Sequence, residues 1–325
     1  MNETATVRTT RRLALLAAAL VAPFVFYPIF LMKAVCFALF AAAFNLLIGF
    51  AGLLSFGHAA FFGSASYVTA YAAKTWGFSP LPAILAGTVV AGIMGAVFGW
   101  LAIRRKGIYF AMVTLALSQM VYFYALESKY TGGEDGIQAV PLRAVFGAID
   151  LNRPLTMYYF VLAICLLGFG IIYRAIHSPF GEVLRAIRDN EPRAISLGYR
   201  TDRYKLLAFT LSATLAGLAG ATKALVFQLA SLTDVTWQMS GDVVLMTLIG
   251  GLGTIWGPVV GAFILITMEN YLAEIGSWVT VIQGTIFVIC VLAFRRGVVG
   301  EIVHFVTRRQ RQPRLVDQAG MRRMT

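Results

Sequence analysis

Residues 173–205 read YRAIHSPFGEVLRAIRDNEPRAISLGYRTDRYK, a polar interruption in a chain that is otherwise almost all apolar. Seven basic side chains (Arg174, Arg185, Arg188, Arg193, Arg200, Arg203 and Lys205) outnumber four acids (Glu182, Asp189, Glu191 and Asp202). That excess marks a cytoplasmic loop under the positive-inside rule. Ser178 can cap a helix that opens on Pro179, because the first turn leaves that N–H unpaired anyway. The spacing predicts this helix to about Asp189, with Val183, Leu184 and Ile187 on one face. Asn190, Glu191 and Pro192 restart a second short helix, which Gly198 can end in the left-handed conformation. Two short amphipathic helices lying flat under a membrane domain make a docking surface.

Working outward, the class follows from composition. With 325 residues, 59% hydrophobic, 13% charged and a mean hydropathy of +0.76, no water-soluble fold could hide this apolar surface. The expected fold is all-α, a polytopic transmembrane helical bundle. Runs near 20 apolar residues can cross the hydrocarbon, and ten are found: 13–31, 34–54, 56–73, 81–103, 108–126, 155–173, 206–228, 241–255, 257–273 and 278–294. This divides the chain into a head (1–12), a membrane domain (13–294) with an outer loop (127–154) and the inner loop (174–205), and a basic tail (295–325). The glycine-rich links at 54–57 and 250–257 are turns or re-entrant breaks. The first run lacks a cleavage-site pattern and reads as a retained span.

The charges test that parse. With the head inside, 21 of the 27 basic residues fall on inner segments, so both termini are expected in the cytoplasm. The other six (Lys33, Lys74, Lys129, Arg143, Arg153 and Lys223) sit on the outer side or near outer helix ends, where lysine can snorkel. The net charge of +12 therefore implies a bilayer as partner and no nucleic acid. Cys36, Cys165 and Cys290 lie in apolar runs and read as small hydrophobes. The tail 308–325 reads as disordered and membrane-surface-associated.

Polar residues at membrane depth are functional candidates, because burying them is costly. Asn45, Ser55, His58, Thr114, Gln119, Glu269 and Asn270 are the candidates for a translocation path, with Ser118 and Gln283 beside them. No two acids face one another at helical spacing, and no Lys or Arg sits mid-span as their counter-ion, which argues against a proton- or sodium-driven carrier. The glycines of the fourth span (Gly87, Gly92, Gly95 and Gly99) suit close helix packing. On the outer loop, Thr131, Gly132, Gly133, Glu134, Asp135 and Gly136 form TGGEDG, a turn or a surface for a partner, with too few oxygens for calcium. An internal echo matches Gly52, Leu53 and Ser55 to Gly251, Leu252 and Thr254, as a tandem repeat would. The chain has no HExxH, no GxSxG and no nucleotide-binding glycine loop, so neither a cofactor nor a catalytic metal is expected. If ATP drives transport, another chain binds it.

The runs FNLLIGFAGLLSFGHAAFFG (44–63), RRKGIYFAMVTLALSQMVYF (104–123), TGGEDGI (131–137), SPFGEVLRAIRDNEPRAISLGY (178–199) and SGDVVLMTLIGGLGTIWGPVVGA (240–262) carry a resemblance. Together they resemble the LivM-type inner-membrane permease of bacterial branched-chain amino-acid ABC importers. Closely similar permeases serve urea, short amides and aromatic compounds. The resemblance implies a second homologous permease subunit, two cytoplasmic ATP-binding subunits, and a periplasmic substrate-binding protein facing TGGEDG. It also implies that Ser178, Pro179, Phe180, Gly181, Leu184, Arg185, Arg188, Glu191, Ala194 and Gly198 belong to the element that couples to the ATPases, its apolar helix face docking. Ala194 and Gly198 keep the spacing of the motif such importers carry there, while Pro192 and Arg193 depart from it. A stand-alone secondary carrier and an intramembrane enzyme are the competing classes.

Overall fold

The computed structural model describes residues 17–272 except 18 and 145–149, and a few isolated positions from 281 to 297. The expected tenth span, Cys290, Gln283, the head and the basic tail lie outside the described residues. Among the described residues the chain is helical, with only an isolated antiparallel bridge between Ile137 and Ala230. It is an all-α polytopic membrane bundle.

In chain order the helices are α1 (Pro28–Asn45), continued by a π-helical turn (Leu46–Ala51), α2 (His58–Lys74), α3 (Pro80–Ala102), α4 (Ile108–Glu127) and α5 (Pro154–Ile176). Then come α6 (Pro179–Asp189), α7 (Glu191–Ser196), α8 (Thr201–Phe227), α9 (Trp237–Gly250) and α10 (Gly257–Leu272). Five stretches are long and apolar enough to cross a membrane: Pro28–Ala51, α3, α4, α5 and α8. The shorter α2, α9 and α10 pack among them.

Most boundaries fall within a few residues of those expected, and one does not. The break expected near residues 32–33 lies at Val25–Tyr27, and Pro28 starts α1 with its fixed φ. Lys33, read as a charge between two spans, sits inside α1 because Glu269 of α10 neutralises it, Nζ to Oε2 3.2 Å.

The core is organised on α1 and α8, which are enclosed on most sides; α3, α4 and α5 each keep an apolar side outward. On α3 that side is Leu85, Val89, Ile93 and Val97, four residues apart, as a lipid-facing helix requires. Arg104 ends the stripe by stacking over Trp100 at 4.3 Å, an anchor at membrane-surface level.

Inside the bundle, glycine decides how close the helices come, since lipid supplies no hydrophobic drive. A Cβ at Gly87 would overlap the Ala65 carbonyl of α2, and one at Gly95 would overlap Ala213 of α8. The expected packing role of the α3 glycines is thus met by two neighbours. Gly220 of α8 comes closer still to α2: a Cβ there would strike the Phe62 backbone, which cannot rotate away. Gly220→Ala is therefore expected to cost about 1–3 kcal/mol of overpacking, read as a lower melting temperature in detergent; an unchanged melt would show that α2 and α8 separate freely.

Candidate coupling and translocation site

The helical path breaks twice, and the backbone groups so released need partners. At the first break Gly52 adopts φ 72°, open to glycine without strain, and residues 52–57 form an irregular link up to α2. Side chains from distant helices meet the N–H groups there. Phe56 N–H donates to Thr114 Oγ1 of α4 (3.2 Å), Gly57 N–H to Ser55 Oγ (3.2 Å) and Ala59 N–H to Ser240 Oγ of α9 (2.9 Å). At the second break, residues 251–256, Gly251 adopts φ 115° and Thr254 Oγ1 accepts from Gly257 N–H at 3.1 Å, as Ser55 does from Gly57. The two stretches share a positive-φ glycine and a capping hydroxyl, but Gly52 and Gly251 differ in conformation and the hydroxyls cap at offsets of two and three residues.

Asn45 joins the breaks. Its Nδ2 donates to the Thr254 carbonyl (2.8 Å) and its Oδ1 accepts from Gly253 N–H (3.0 Å). Gly49 lies so close to Gly253 that a Cβ on it would overlap both that amide and Asn45 Oδ1.

His58 is fully buried at the start of α2, edge-on to Phe44, Phe61 and Phe209. Ser212 Oγ lies 2.8 Å from His58 Nε2 and donates its one proton to the Ala43 carbonyl at 2.6 Å. Nε2 must therefore donate, which leaves Nδ1 a bare acceptor, and it has no partner.

Below the breaks lie α6 and α7. Ser178 does not cap α6; its hydroxyl donates to the Ala175 carbonyl at 2.7 Å, and Pro179 alone sets the start. Gly181 packs where a Cβ would strike the Ile176 carbonyl, and Phe180 stacks on Tyr204. Leu184 and Ile187 are buried against the chain's own membrane domain, so the face expected to dock a partner is turned inward. The second helix instead exposes Ile195, Leu197 and Tyr199 around the Gly198 stop, with Ala194 buried beneath. A helix face is read as apolar or polar from sequence, but not which of two neighbours it meets.

Three side chains fasten this hairpin to the bundle. Arg188 Nη1 donates to the Gly49 carbonyl in the π-helical turn and its stem lies against Gly52, so this side chain meets the first break, which Asn45 joins to the second. Arg185 sits over the Phe50 ring at 5.4 Å. Glu191 bridges Lys205 of α8 (2.5 Å) and Lys106 of the α3–α4 turn (3.1 Å) and accepts from Thr201 Oγ1 (3.3 Å). Partial burial pushes its carboxyl up, but the two lysine hydrogen bonds and charges outweigh this and hold it below the usual carboxylate range.

The far end holds charges the sequence reading did not foresee. Lys223, expected to snorkel, is buried and pairs with buried Asp234 at 2.7 Å, which also accepts from Ser66. Asp242 of α9 lies within electrostatic reach of Glu269 and Lys33. Lys33 pairs with Glu269 and Lys223 with Asp234, each near a helix end, and neither pair is at the helical spacing that the expectation addressed. Helix periodicity cannot reveal partners on different helices, and Lys33 and Glu269 are 236 positions apart.

Of the seven path candidates, Asn45, Ser55, His58 and Thr114 converge on the breaks as backbone caps and a core histidine. Glu269 lies at the opposite end beside exposed Asn270, and Gln119 stands apart on α4, half-buried. TGGEDG is a turn with Gly132, Gly133 and Gly136 at positive φ, and Thr131 donates to the Ala125 carbonyl at 2.6 Å. Glu134 and Asp135 are exposed on it.

These features define a helical membrane permease scaffold, with a basic hairpin tied to two broken helices. Residues 26–291 match the family described as branched-chain amino acid transport system / permease component, and the chain belongs to that family. It is 25% identical over 271 residues to the high-affinity branched-chain amino acid transport system permease protein LivM of Escherichia coli (strain K12), covering 76% of this chain and 64% of that one. It is 28% identical over 230 residues to the ribose import permease protein RbsC of Bacillus subtilis, covering 68% and 70%. It is 28% identical over 206 residues to the autoinducer 2 import system permease protein LsrC of Yersinia pseudotuberculosis, covering 60% and 54%. No solved structure matches.

Glu191→Gln is expected to strand the Lys205 ammonium, whose side chain is only 8% exposed, at a cost of about 1–3 kcal/mol. Because the folded carboxyl titrates low, its contribution is complete above the ordinary glutamate value of about 4.3 and fades as pH falls through the folded value. Melting curves against pH check this: the variant should lack the acid-dependent step that the wild type shows.

Proposed function

We propose that the chain is the permease subunit of an ATP-driven importer of the bacterial inner membrane, moving branched-chain and other hydrophobic amino acids by alternating access. The observation that carries this reading is the Arg188 contact, which ties the hairpin to the first break, and through Asn45 to the second. A push on the hairpin is thereby delivered to the turns where α1, α2, α9 and α10 meet.

In this reading the hairpin and both termini are cytoplasmic. Exposed Ile195, Leu197 and Tyr199, flanked by Arg193 and Arg200, meet one of two ATP-binding subunits. A second, homologous permease completes the path. The TGGEDG turn faces a periplasmic substrate-binding protein, its rigid glycine geometry presenting Glu134 and Asp135. This chain does no covalent chemistry: ATP is hydrolysed by the partner subunits, and transport needs only weak polar contacts for a zwitterion. The branched-chain substrate rests on the family and the LivM relative; the ribose and autoinducer 2 permeases show that similar chains serve other cargo. Urea, short amides and aromatic compounds remain within the same architecture.

The Lys33, Asp242 and Glu269 cluster favours one second reading, a proton-coupled carrier, because facing acids with a cation form such relays. Collapsing the proton gradient while ATP is maintained separates the two: an importer continues and a carrier stops.

Two variants test the coupling. Arg188→Gln is expected to lower ATP-driven uptake about tenfold with hydrolysis retained, the equivalent of one charge-assisted hydrogen bond; wild-type uptake would remove Arg188 from the linkage. Leu197→Asp is expected to abolish co-purification of the ATP-binding subunits from native membrane, and their retention would place the contact elsewhere.

A further inference from the structure

The lipid-facing stripe of α3 ends on cations. Past Val97 it runs on through exposed Trp100 and Leu101, the helix stops at Ala102, and Arg104, Arg105 and Lys106 follow almost at once. The turn is closed by Arg105 N–H on the Ala102 carbonyl (3.0 Å) and by Gly107 at φ 59°. Nothing lies within 4 Å of where a Gly107 Cβ would stand, so the turn is open on that side. Exposed Ile108 and Tyr109 then begin α4. Three positive charges are thus held between two apolar helix ends, at the level where hydrocarbon gives way to headgroups.

Several other cations at this end are engaged within the protein: Arg185 on Phe50 and Glu182, Arg188 on Gly49 and Asp189, Lys205 on Glu191. Those of the turn are not. Arg104 stands over the Trp100 ring and gives no side-chain N–H to an acceptor among the described residues. Exposed Arg105 meets no acid among them. Lys106 reaches Glu191 Oε2 at 3.1 Å, yet 71% of its side chain is exposed and an ammonium has three donors. The turn therefore carries net positive charge with donors left over, and lipid phosphate is the acceptor that occurs at this depth. A zwitterionic headgroup brings a cation of its own toward the arginines; an anionic one does not.

We propose that the α3–α4 turn holds the phosphate of an anionic phospholipid at Arg104 and Arg105, with an acyl chain along Leu101, Val97 and Ile93 of α3. Lys106 then answers the headgroup on one side and the Glu191 carboxylate on the other, so the lipid and the hairpin share one cation. The site is independent of the cargo that the chain carries.

The test uses the full chain in uncharged detergent, with dioleoyl phosphatidylglycerol, dioleoyl phosphatidylcholine or inorganic phosphate added. Native mass spectrometry reads what is retained, and melting temperature reads what stabilises. The wild type should retain phosphatidylglycerol in preference to phosphatidylcholine and melt higher with it. Arg104→Gln with Arg105→Gln should weaken phosphatidylglycerol binding about fivefold for each charge removed. Arg174→Gln, which removes an exposed cation from the last turn of α5, should leave binding unchanged.

Equal retention of the two lipids by the wild type overturns the proposal. So does an equal loss of binding in Arg174→Gln, which would make the preference a matter of net charge and not of this turn. A melt raised as much by inorganic phosphate as by phosphatidylglycerol overturns it too, since the acyl chain would then add nothing. Should the double variant fail to insert, Arg105→Gln decides alone, because that side chain has no partner among the described residues to lose: phosphatidylglycerol binding equal to that of the wild type overturns the site.

Discussion

One amide side chain holds the membrane domain to its shape. Asn45 spends both ends of its carboxamide on the Gly253–Thr254 backbone, and thereby welds the break after α1 to the break after α9. In water such a bond would be a modest net gain, since solvent competes for both partners. In hydrocarbon no solvent exists to take the released groups, so a broken helix is possible only where side chains replace the missing ladder. The bonds from Thr114, Ser55 and Ser240 serve the same need, and each comes from a different part of the chain.

From this weld the rest of the architecture follows. The π-helical turn leaves the Gly49 carbonyl facing Arg188, and turns of this type recur at functional sites. The hairpin is consequently no loose appendage. Arg188 seats it under the first break, Glu191 ties it to α8 and to the α3–α4 turn, and buried Leu184 and Ile187 fill the space between. Moving it means moving the ends of four membrane helices together.

How legible this was in the sequence depends on the range of the interaction. Helix limits are local: prolines at first turns and glycines at stops placed α3, α4, α6 and α7 to within a residue or two. The α6–α7 hairpin and the weak likeness of its two flanking breaks were visible as pattern. Lys33 misplaced a boundary because a charge was read as the edge of a span, when a partner on a remote helix had made its burial affordable. The inward turn of Leu184 and Ile187 was hidden for a related reason, since amphipathicity gives a face and not its neighbour. Ser212 and Ser240 carry no local signal at all, being single hydroxyls in apolar runs. They matter only because the fold brings unpaired amides to them.

The pairing of Lys223 with Asp234 bears on how the chain is built into the membrane. The two charges lie eleven positions apart, on the end of α8 and on the short 3₁₀ turn Leu232–Val235 that leads back toward α9. Neither could rest alone at that depth, but together they enter as an almost neutral unit, with Ser66 of α2 completing the shell. Because the pair is local, the returning segment carries its counter-charge in from the end of α8, and Ser66 of α2 then closes the shell.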